Sequence, residues 1–341
     1  MSSIKLAGLY VGTVVGAGFA SGQEVLQFFG FHGLGGVLGI AVAGGLFVVY
    51  GAMILILGNR LQASSHLEVV QASGVPWIGT AVDAVITFFL LGALSTMAAG
   101  SGAVFEEQFG VPYFLGSLAV VTLAVVTVIM GIERVVTAVS MVTPFLLGSV
   151  LIVCVLSMFK APIDLAWADP ERAALRILPL SSITYASYNL VLAIPLLAPA
   201  GALAGGPVLK RGALLGGIGL ALGALGIHLA ILTAVPEITR FEIPMLFLTE
   251  RAFGPLSLVY SAVLLAEVYT TAVASLYGFT ARMTNPQGKQ FVKVAIATGA
   301  AAFIGSLLGF SELVAKVYSA VGIAGYTLLV TLILAYFRTR D

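Results

Sequence analysis

The sequence predicts an all-α polytopic membrane protein with ten transmembrane helices. The first observation is composition, since 60% of the 341 residues are hydrophobic and the mean hydropathy is +1.09. The second is charge, because only 9% of the residues are charged, against about 25% in soluble domains. The third is the recurrence of long apolar stretches with short connections between most of them. A soluble domain could not bury this much apolar surface.

Ten stretches of the chain are long enough to span a bilayer, which takes about 20 apolar residues in a helix. No linker or low-complexity segment separates these stretches, so we treat residues 1–341 as a single transmembrane domain. The expected spans lie near 4–29, 33–58, 77–105, 112–131, 134–158, 177–199, 209–235, 254–281, 289–308 and 312–337.

The ten spans divide into two sets of five. The first set covers about 4–158 and the second about 177–337. A segment with an odd number of spans begins and ends on opposite sides of the membrane, so a second copy that follows it has the opposite orientation. We therefore expect a 5+5 inverted repeat. No residue-level identity between the halves is obvious, and this expectation depends on spacing alone.

The first span contains a glycine-rich interruption followed by polar residues, Gly-Ala-Gly-Phe-Ala-Ser-Gly-Gln-Glu over 16–24. In hydrocarbon each unpaired backbone group costs several kcal/mol, so irregular backbone is tolerated only where it lines a cavity or is buried in protein. We therefore expect helix one to be broken at mid-membrane beside a binding site. The alternative is that Gly16, Gly18 and Gly22 only allow close packing against another helix.

The sixth span carries an unusually polar run over 181–189, followed by Pro195. This run occupies the position in the second half that matches the glycine break in the first. Interrupted segments at matching positions of two halves are the best sequence indicator of a transporter's binding site. The spacing therefore predicts that helix six is also broken at mid-membrane.

Lysine and arginine indicate the orientation, because they favour cytoplasmic loops. With the N-terminus inside, ten of the 16 basic residues lie on the cytoplasmic side. We expect a multi-pass protein of the bacterial inner membrane, embedded in the lipid bilayer, with both termini cytoplasmic. The cytoplasmic set is Lys5, Arg60, Arg134, Lys210, Arg211, Arg282, Lys289, Lys293, Arg338 and Arg340.

Several other function classes have no support in the sequence. The net charge of +1 and the lack of a basic run argue against nucleic acid as a partner. The single cysteine, Cys154, allows no internal disulfide. No HExxH, no GxSxG and no His/Cys cluster is present, so we expect neither an enzyme nor a cofactor.

The run Gly-Thr-Val-Val-Gly-Ala-Gly-Phe-Ala-Ser-Gly-Gln-Glu over 12–24 resembles the first helix of the YkvI-like family of bacterial membrane proteins. That family is placed near the amino acid–polyamine–organocation superfamily, which shares the five-plus-five fold of the bacterial leucine transporter. The resemblance implies that helices one and six hold a substrate at their unwound centres.

A second run, Thr-Thr-Ala-Val-Ala over 270–274, resembles the sodium-binding segment of sodium-coupled members of this fold. The resemblance implies carbonyl ligands from Gly12, Val15 and Glu267, with hydroxyl ligands from Thr270 and Thr271. The position of Glu267 is normally small and neutral in that fold. A carboxylate there could carry a proton instead, so sodium and proton coupling both stay open.

The substrate expected by resemblance is an amino acid or a related amine. Its carboxylate would meet the amides of Ala17 and Gly18 at the start of the second half-helix, and its amine would meet carbonyls of helix six and the side chain of Glu24. Glu24 could alternatively be a hydrated residue near a helix end, and Glu267 could form a structural hydrogen bond. The predicted binding residues are Gly16, Ala17, Gly18, Phe19, Ser21, Gln23, Glu24, Tyr185, Ser187, Tyr188 and Asn189.

These features together favour an ion-coupled symporter of a small amino-acid-like metabolite that works by alternating access. The alternative is a ligand sensor or a channel on the same scaffold. Neither the substrate nor the oligomeric state follows from the sequence.

Overall fold

A computed structural model describes residues 1–75, 77–130, 143–284 and 289–339, and these residues are organised entirely as helices and connecting segments. Residues 131–142, which include the start of the fifth predicted span, lie outside the described residues. The helices are α1 (Ser3–Val14), α2 (Ala17–Ser21), α3 (Gln23–Phe28), α4 (Gly35–Leu61), α5 (His66–Gln71), α6 (Ile78–Phe109), α7 (Tyr113–Met130), α8 (Thr143–Lys160), α9 (Leu178–Ala202), α10 (Pro207–Ile231), α11 (Pro244–Ala252), α12 (Gly254–Met283), α13 (Lys289–Ser306) and α14 (Phe310–Arg338).

Seven of the described helices are long and apolar enough to cross a membrane, namely α4, α6, α7, α9, α10, α12 and α14. Shorter apolar helices lie at α1, α8 and α13. The prediction of an all-helical protein with many apolar helices is therefore confirmed for the described residues. The count of ten spans and the inverted repeat remain predictions.

The first predicted span is interrupted, as expected, at Val15 and Gly16. Gly16 is extended, with φ −126° and ψ −168°, and it separates α1 from α2. A second interruption at Gly22 was not predicted. Gly22 adopts φ 79° between α2 and α3, and a Cβ there would lie 2.8 Å from the Met245 side chain. A glycine is required at Gly22 both for its left-handed backbone and for this close approach.

The predicted break in the sixth span is wrong, because α9 is continuous from Leu178 to Ala202. Several side chains of the polar run that suggested unwinding donate hydrogen bonds to backbone carbonyls instead. The Ser182 hydroxyl donates to the Leu178 carbonyl at 2.9 Å, and the Asn189 amide donates to the Tyr185 carbonyl at 2.9 Å. Serine and asparagine can hydrogen-bond to backbone carbonyls one turn earlier without opening the helix.

Two prolines nevertheless lie inside α9, at Pro195 and Pro199. Proline has no N–H, so it leaves the carbonyl four residues earlier without its helical donor. Pro195 therefore frees the carbonyl of Val191 while the helix stays continuous. The Val191 carbonyl is thus left without its helical donor although the predicted unwinding is absent, and Val191 lines the central cavity described below.

The helices form two groups on either side of the broken first span. In one group α9 and α10 pack on α4, and α1 packs on α10 and α9. In the other group α7, α12 and α13 pack on α6. The short α2 contacts α6 and α12. The break at Gly16 therefore lies where the two groups meet.

Candidate functional site

A cavity of about 430 Å³ lies at the break in the first span, between the two groups of helices. Residues 12–18 of the broken segment form one wall. The facing walls come from α6, α9, α12 and α14. Pockets of roughly 300–1,000 Å³ hold small-molecule ligands, so the volume suits a compact metabolite.

The extended backbone at the break faces α12 across the cavity. A Cβ added to Gly16 would lie 3.9 Å from the Thr271 hydroxyl oxygen, so the Thr271 side chain approaches the backbone of the break. Gly12 and Val15, on the other side of the break, line the same cavity. The predicted ion-site residues therefore line one cavity, with Gly12 and Val15 on one wall and the three residues of α12 on the facing wall.

Glu267 is a buried carboxylate in that wall, with a side chain that is 6% exposed. Its backbone carbonyl accepts a hydrogen bond from the Thr270 hydroxyl at 3.0 Å. Its carboxylate oxygen Oε2 has no hydrogen-bond partner among the described residues. An unpartnered carboxylate in a membrane protein is costly and by default functional, which fits a residue that binds a cation or a proton.

Glu24 is the second buried carboxylate of the cavity and is 5% exposed. The Tyr188 hydroxyl donates to its Oε2 atom from α9. Its carboxyl group lies directly beside Gly18, where an added Cβ would lie 3.0 Å from the carboxyl carbon and closer still to Oε1. The Glu24 side chain therefore folds back over the start of α2, into the space that the sequence assigned to a substrate carboxylate.

Two aromatic rings from other helices complete this end of the cavity. Phe89 from α6 and Tyr318 from α14 line it, and their ring centroids lie 5.3 Å apart. Tyr188 packs behind them, 5.1 Å from Tyr318 and 6.5 Å from Phe89. The end of the cavity that holds Glu24 is thus aromatic as well as acidic.

The opposite end of the cavity reaches Arg282, near the end of α12. The Arg282 guanidinium pairs with the carboxylate of Asp83 in α6. His66 of α5 lies 3.5 Å from the same carboxylate. Burial and the positive charge of Arg282 lower the pKa of His66, and Asp83 partly opposes this shift. We call this end, which is on the predicted cytoplasmic face, the mouth of the cavity, and the ion pair borders it.

The structure brings some of the predicted substrate residues to the cavity and places others elsewhere. Those that line it are Gly16, Ala17, Gly18, Glu24 and Asn189, together with all five predicted ion-site residues, Gly12, Val15, Glu267, Thr270 and Thr271. The predicted residues that do not line it are Phe19, Ser21, Gln23, Tyr185, Ser187 and Tyr188.

Each of these six has a different environment. Phe19 packs against α10 near Gly223, and the Ser21 hydroxyl donates to the Gly18 carbonyl at 2.7 Å. Tyr185 is buried among aromatic rings, and Ser187 is buried against Gly325 of α14. Gln23 lines a separate cavity, and Tyr188 lies behind the wall of the central cavity, where it donates to Glu24 and packs against Phe89 and Tyr318.

Several cavity residues were not predicted from the sequence, among them Phe89, Met97, Ala274 and Tyr318. They lie on long apolar helices whose rotation about their own axes is not encoded in a simple pattern. A phenylalanine in such a helix has the same local signature whether it faces lipid, core or cavity. No local sequence signal could have identified them.

Three solved structures with a similar fold are membrane transporters. Over 98% of this chain and 77% of the other, the fold matches the nucleobase–cation symporter Mhp1 with a TM-score of 0.59 at 11% identity. A manganese transporter of Eremococcus coleocola matches over 98% and 78% with a TM-score of 0.62 at 12% identity. A sodium-coupled sialic acid symporter matches over 99% and 79% with a TM-score of 0.59 at 14% identity. At these identities the likeness establishes the fold.

The amino-acid sequence places the chain more narrowly. It is 31% identical over 330 residues to the uncharacterised membrane protein YkvI of Bacillus subtilis, covering 94% of this chain and 92% of YkvI. It is 26% identical over 337 residues to the uncharacterised protein YyaD of the same organism. The chain belongs to the YkvI family of membrane proteins. Comparison with descriptive models of protein families gives no match, and the placement near the wider superfamily remains a prediction.

Proposed function

We propose that this protein is an ion-coupled secondary active transporter of a small amine-bearing metabolite, in the chemical class that includes amino acids. The observation that carries this proposal is the cavity at the break of the first span, which holds two buried carboxylates and free backbone groups between two groups of helices. A polar cavity at a helix break near the bilayer midplane is the typical binding site of a transporter. The fold shared with three kinds of transporter supports the same conclusion.

In this proposal the substrate binds between the first span and α9. Its amine has three acceptors available on the cavity wall: the Glu24 carboxylate, the side-chain oxygen of Asn189 and the Val191 carbonyl freed by Pro195. The Asn189 oxygen has no hydrogen-bond partner among the described residues. A substrate amine would satisfy these acceptors, which are otherwise costly to leave unpaired.

The coupling ion binds beside the substrate, where α12 faces the break. Carbonyls of Gly12 and Val15, hydroxyls of Thr270 and Thr271, and the Glu267 side chain offer the hard oxygen ligands that suit sodium, while the Glu267 carboxylate could take up a proton instead. Ion binding there holds the first span against α12. An ion shifts a conformational equilibrium only by its differential affinity for the two states, so coupling requires that this contact differ between the inward-facing and outward-facing states.

The direct test is uptake by purified protein in liposomes, with sodium and proton gradients imposed separately and a panel of amino acids and amines as substrates. We expect saturable uptake that depends on one of the two gradients. Flux that does not saturate and needs no gradient would identify a channel, and ligand binding without uptake would identify a sensor. Either result contradicts the proposal.

The double variant Thr270→Ala plus Thr271→Ala tests the ion site. It removes both hydroxyl ligands, so we expect loss of sodium stimulation. The matched control is Thr284→Ala, at the end of the same helix, whose hydroxyl donates to the Thr280 carbonyl at 3.0 Å outside the cavity. Unchanged sodium dependence in the double variant would place the ion elsewhere.

A further inference from the structure

The charges in the cavity wall favour some of the substrates allowed by the proposed transport function, on which this inference rests. It starts from the charges in the cavity wall. Among the described residues that line it, Glu24 and Glu267 are acidic and Arg282 is basic. Arg282 lies at the mouth and pairs with Asp83. Neither buried carboxylate therefore has a basic partner in the wall.

Glu24 also lacks hydrogen bonds that would compensate for its burial. Tyr188 is the one donor to its carboxylate among the described residues. A buried carboxylate in a protein is normally paired or accepts several hydrogen bonds. Glu24 lines the cavity with one carboxylate oxygen free of any such partner. A positively charged ligand group in the cavity would supply the missing partner.

The same side chain opposes a negatively charged ligand group. Its carboxyl group covers Gly18, and a Cβ on Gly18 would meet it within van der Waals distance. This is the place where the amides at the start of α2 would have received a substrate carboxylate. A second carboxylate there would stand against Glu24 with no basic residue nearby, and like charges at contact distance repel strongly in a medium of low dielectric constant.

The aromatic rings at this end of the cavity also favour a positively charged ligand group. Phe89 and Tyr318 line the cavity beside Glu24 and are almost fully buried, at 3% and 4% exposure. Aromatic faces attract ammonium groups, and the attraction is stronger when water is excluded. The negatively polarised face of an aromatic ring, by contrast, repels a carboxylate.

We propose that the substrate is an organic cation without an α-carboxylate, with its ammonium group held by the Glu24 carboxylate against the rings of Phe89 and Tyr318. Glu267, beside Thr270 and Thr271, is left for the coupling ion. The carrier would thus take amines and exclude the corresponding amino acids.

Matched pairs of compounds test this proposal, each an amine and the amino acid that differs from it only by the carboxylate. Suitable pairs are agmatine with arginine, tyramine with tyrosine, and isoamylamine with leucine. Binding to the purified wild-type protein is measured by calorimetry, and uptake is measured in liposomes. For each pair that binds, we expect the amine to bind at least about tenfold more tightly than the amino acid. The reason is that the carboxylate of the amino acid would be buried beside Glu24 without a basic partner.

The variant Glu24→Gln keeps the shape of the side chain and removes its charge. We expect it to weaken amine binding at least about tenfold and to abolish most of the discrimination within each pair. Glu106→Gln, an exposed carboxylate at the end of α6, is the matched control and should change neither. If Glu24→Gln does not fold, Phe89→Leu tests the same site, because it removes one aromatic face and should weaken the amine more than the amino acid.

The outcomes separate this inference from the transport function. Uptake of an amino acid in preference to its amine, with discrimination unchanged in Glu24→Gln, would overturn the substrate class and leave the transporter in place. Absence of gradient-driven uptake for every compound in the panel would overturn the proposed function itself, and the substrate class with it. Preferential, Glu24-dependent uptake of amines supports both.

Discussion

Gly18 and Glu24 are in direct contact, and the missing side chain of Gly18 makes room for the carboxyl group of Glu24. The carboxyl group of Glu24 occupies the space that a Cβ on Gly18 would take. The sequence alone identified both residues, because a glycine-rich break followed by a carboxylate is unusual in an apolar stretch. It could not show that the carboxylate folds back over the break. Between the two residues the backbone turns a second time at Gly22, which has the left-handed conformation.

Gly18→Ala is therefore predicted to displace the Glu24 carboxyl group. Uptake should fall at least about tenfold, equivalent to about 1.4 kcal/mol, while the protein remains folded in detergent. Gly8→Ala is the matched control, since a Cβ there would meet no atom within 4 Å and alanine favours the helix. Equal uptake by the two variants would show that the contact between Gly18 and Glu24 does not matter for transport.

The two helices that were expected to be broken differ, and the difference shows what sequence can predict. Glycines without hydrogen-bonding side chains do open the backbone of the first span. The polar run of α9 leaves the helix intact, because several of its hydroxyl and amide groups bond to carbonyls one turn earlier or to neighbouring segments. Ser181, for example, donates to the Phe28 carbonyl at 2.7 Å. A polar residue in a membrane span thus indicates a hydrogen-bond partner, and this partner can lie on another segment rather than on a substrate.

Pro195→Ala tests the role of the freed carbonyl in α9. The alanine N–H would restore the bond to the Val191 carbonyl, so we expect higher thermal stability; an interior proline costs a soluble helix about 3 kcal/mol. We also expect weaker substrate binding, because one acceptor on the cavity wall is lost. Gly148→Ala in α8 is the control, since a Cβ there meets no atom within 4 Å and the residue does not line the cavity, and it should raise stability alone because alanine favours a helix. Substrate binding that is equal in the two variants would remove the Val191 carbonyl from the site.

At the scale of the whole molecule, hydropathy and spacing predicted a helical membrane protein because both are properties of short segments. The contents of the cavity depend on how α6, α12 and α14 are rotated against the first span, which no single segment encodes. Phe89 and Tyr318 are recognised as cavity residues only from the packing of the two groups of helices. Alternating access requires these groups to move against one another, and the mouth at Arg282 to close.

The ion pair between Asp83 and Arg282 borders that mouth, where it joins α6 to α12 on the predicted cytoplasmic face. Asp83→Asn should weaken this contact and change the rate of transport more than the affinity for substrate, because the pair lies far from Glu24 along the cavity. The measurement is the maximal uptake rate and the half-saturating concentration in liposomes. A change confined to the half-saturating concentration would argue that Arg282 instead binds substrate.

The central claim is that substrate passes through the cavity at the break of the first span, and thiol modification of Ala274→Cys tests it most directly. Ala274 is an exposed residue of the cavity wall, and the wild-type cysteine, Cys154, is 3% exposed. The protein is labelled in detergent with a methanethiosulfonate reagent, labelling is verified by mass spectrometry, and uptake is measured after reconstitution. We predict that uptake is blocked in the labelled variant and unaffected in identically treated wild type. Full labelling with undiminished uptake would contradict the account.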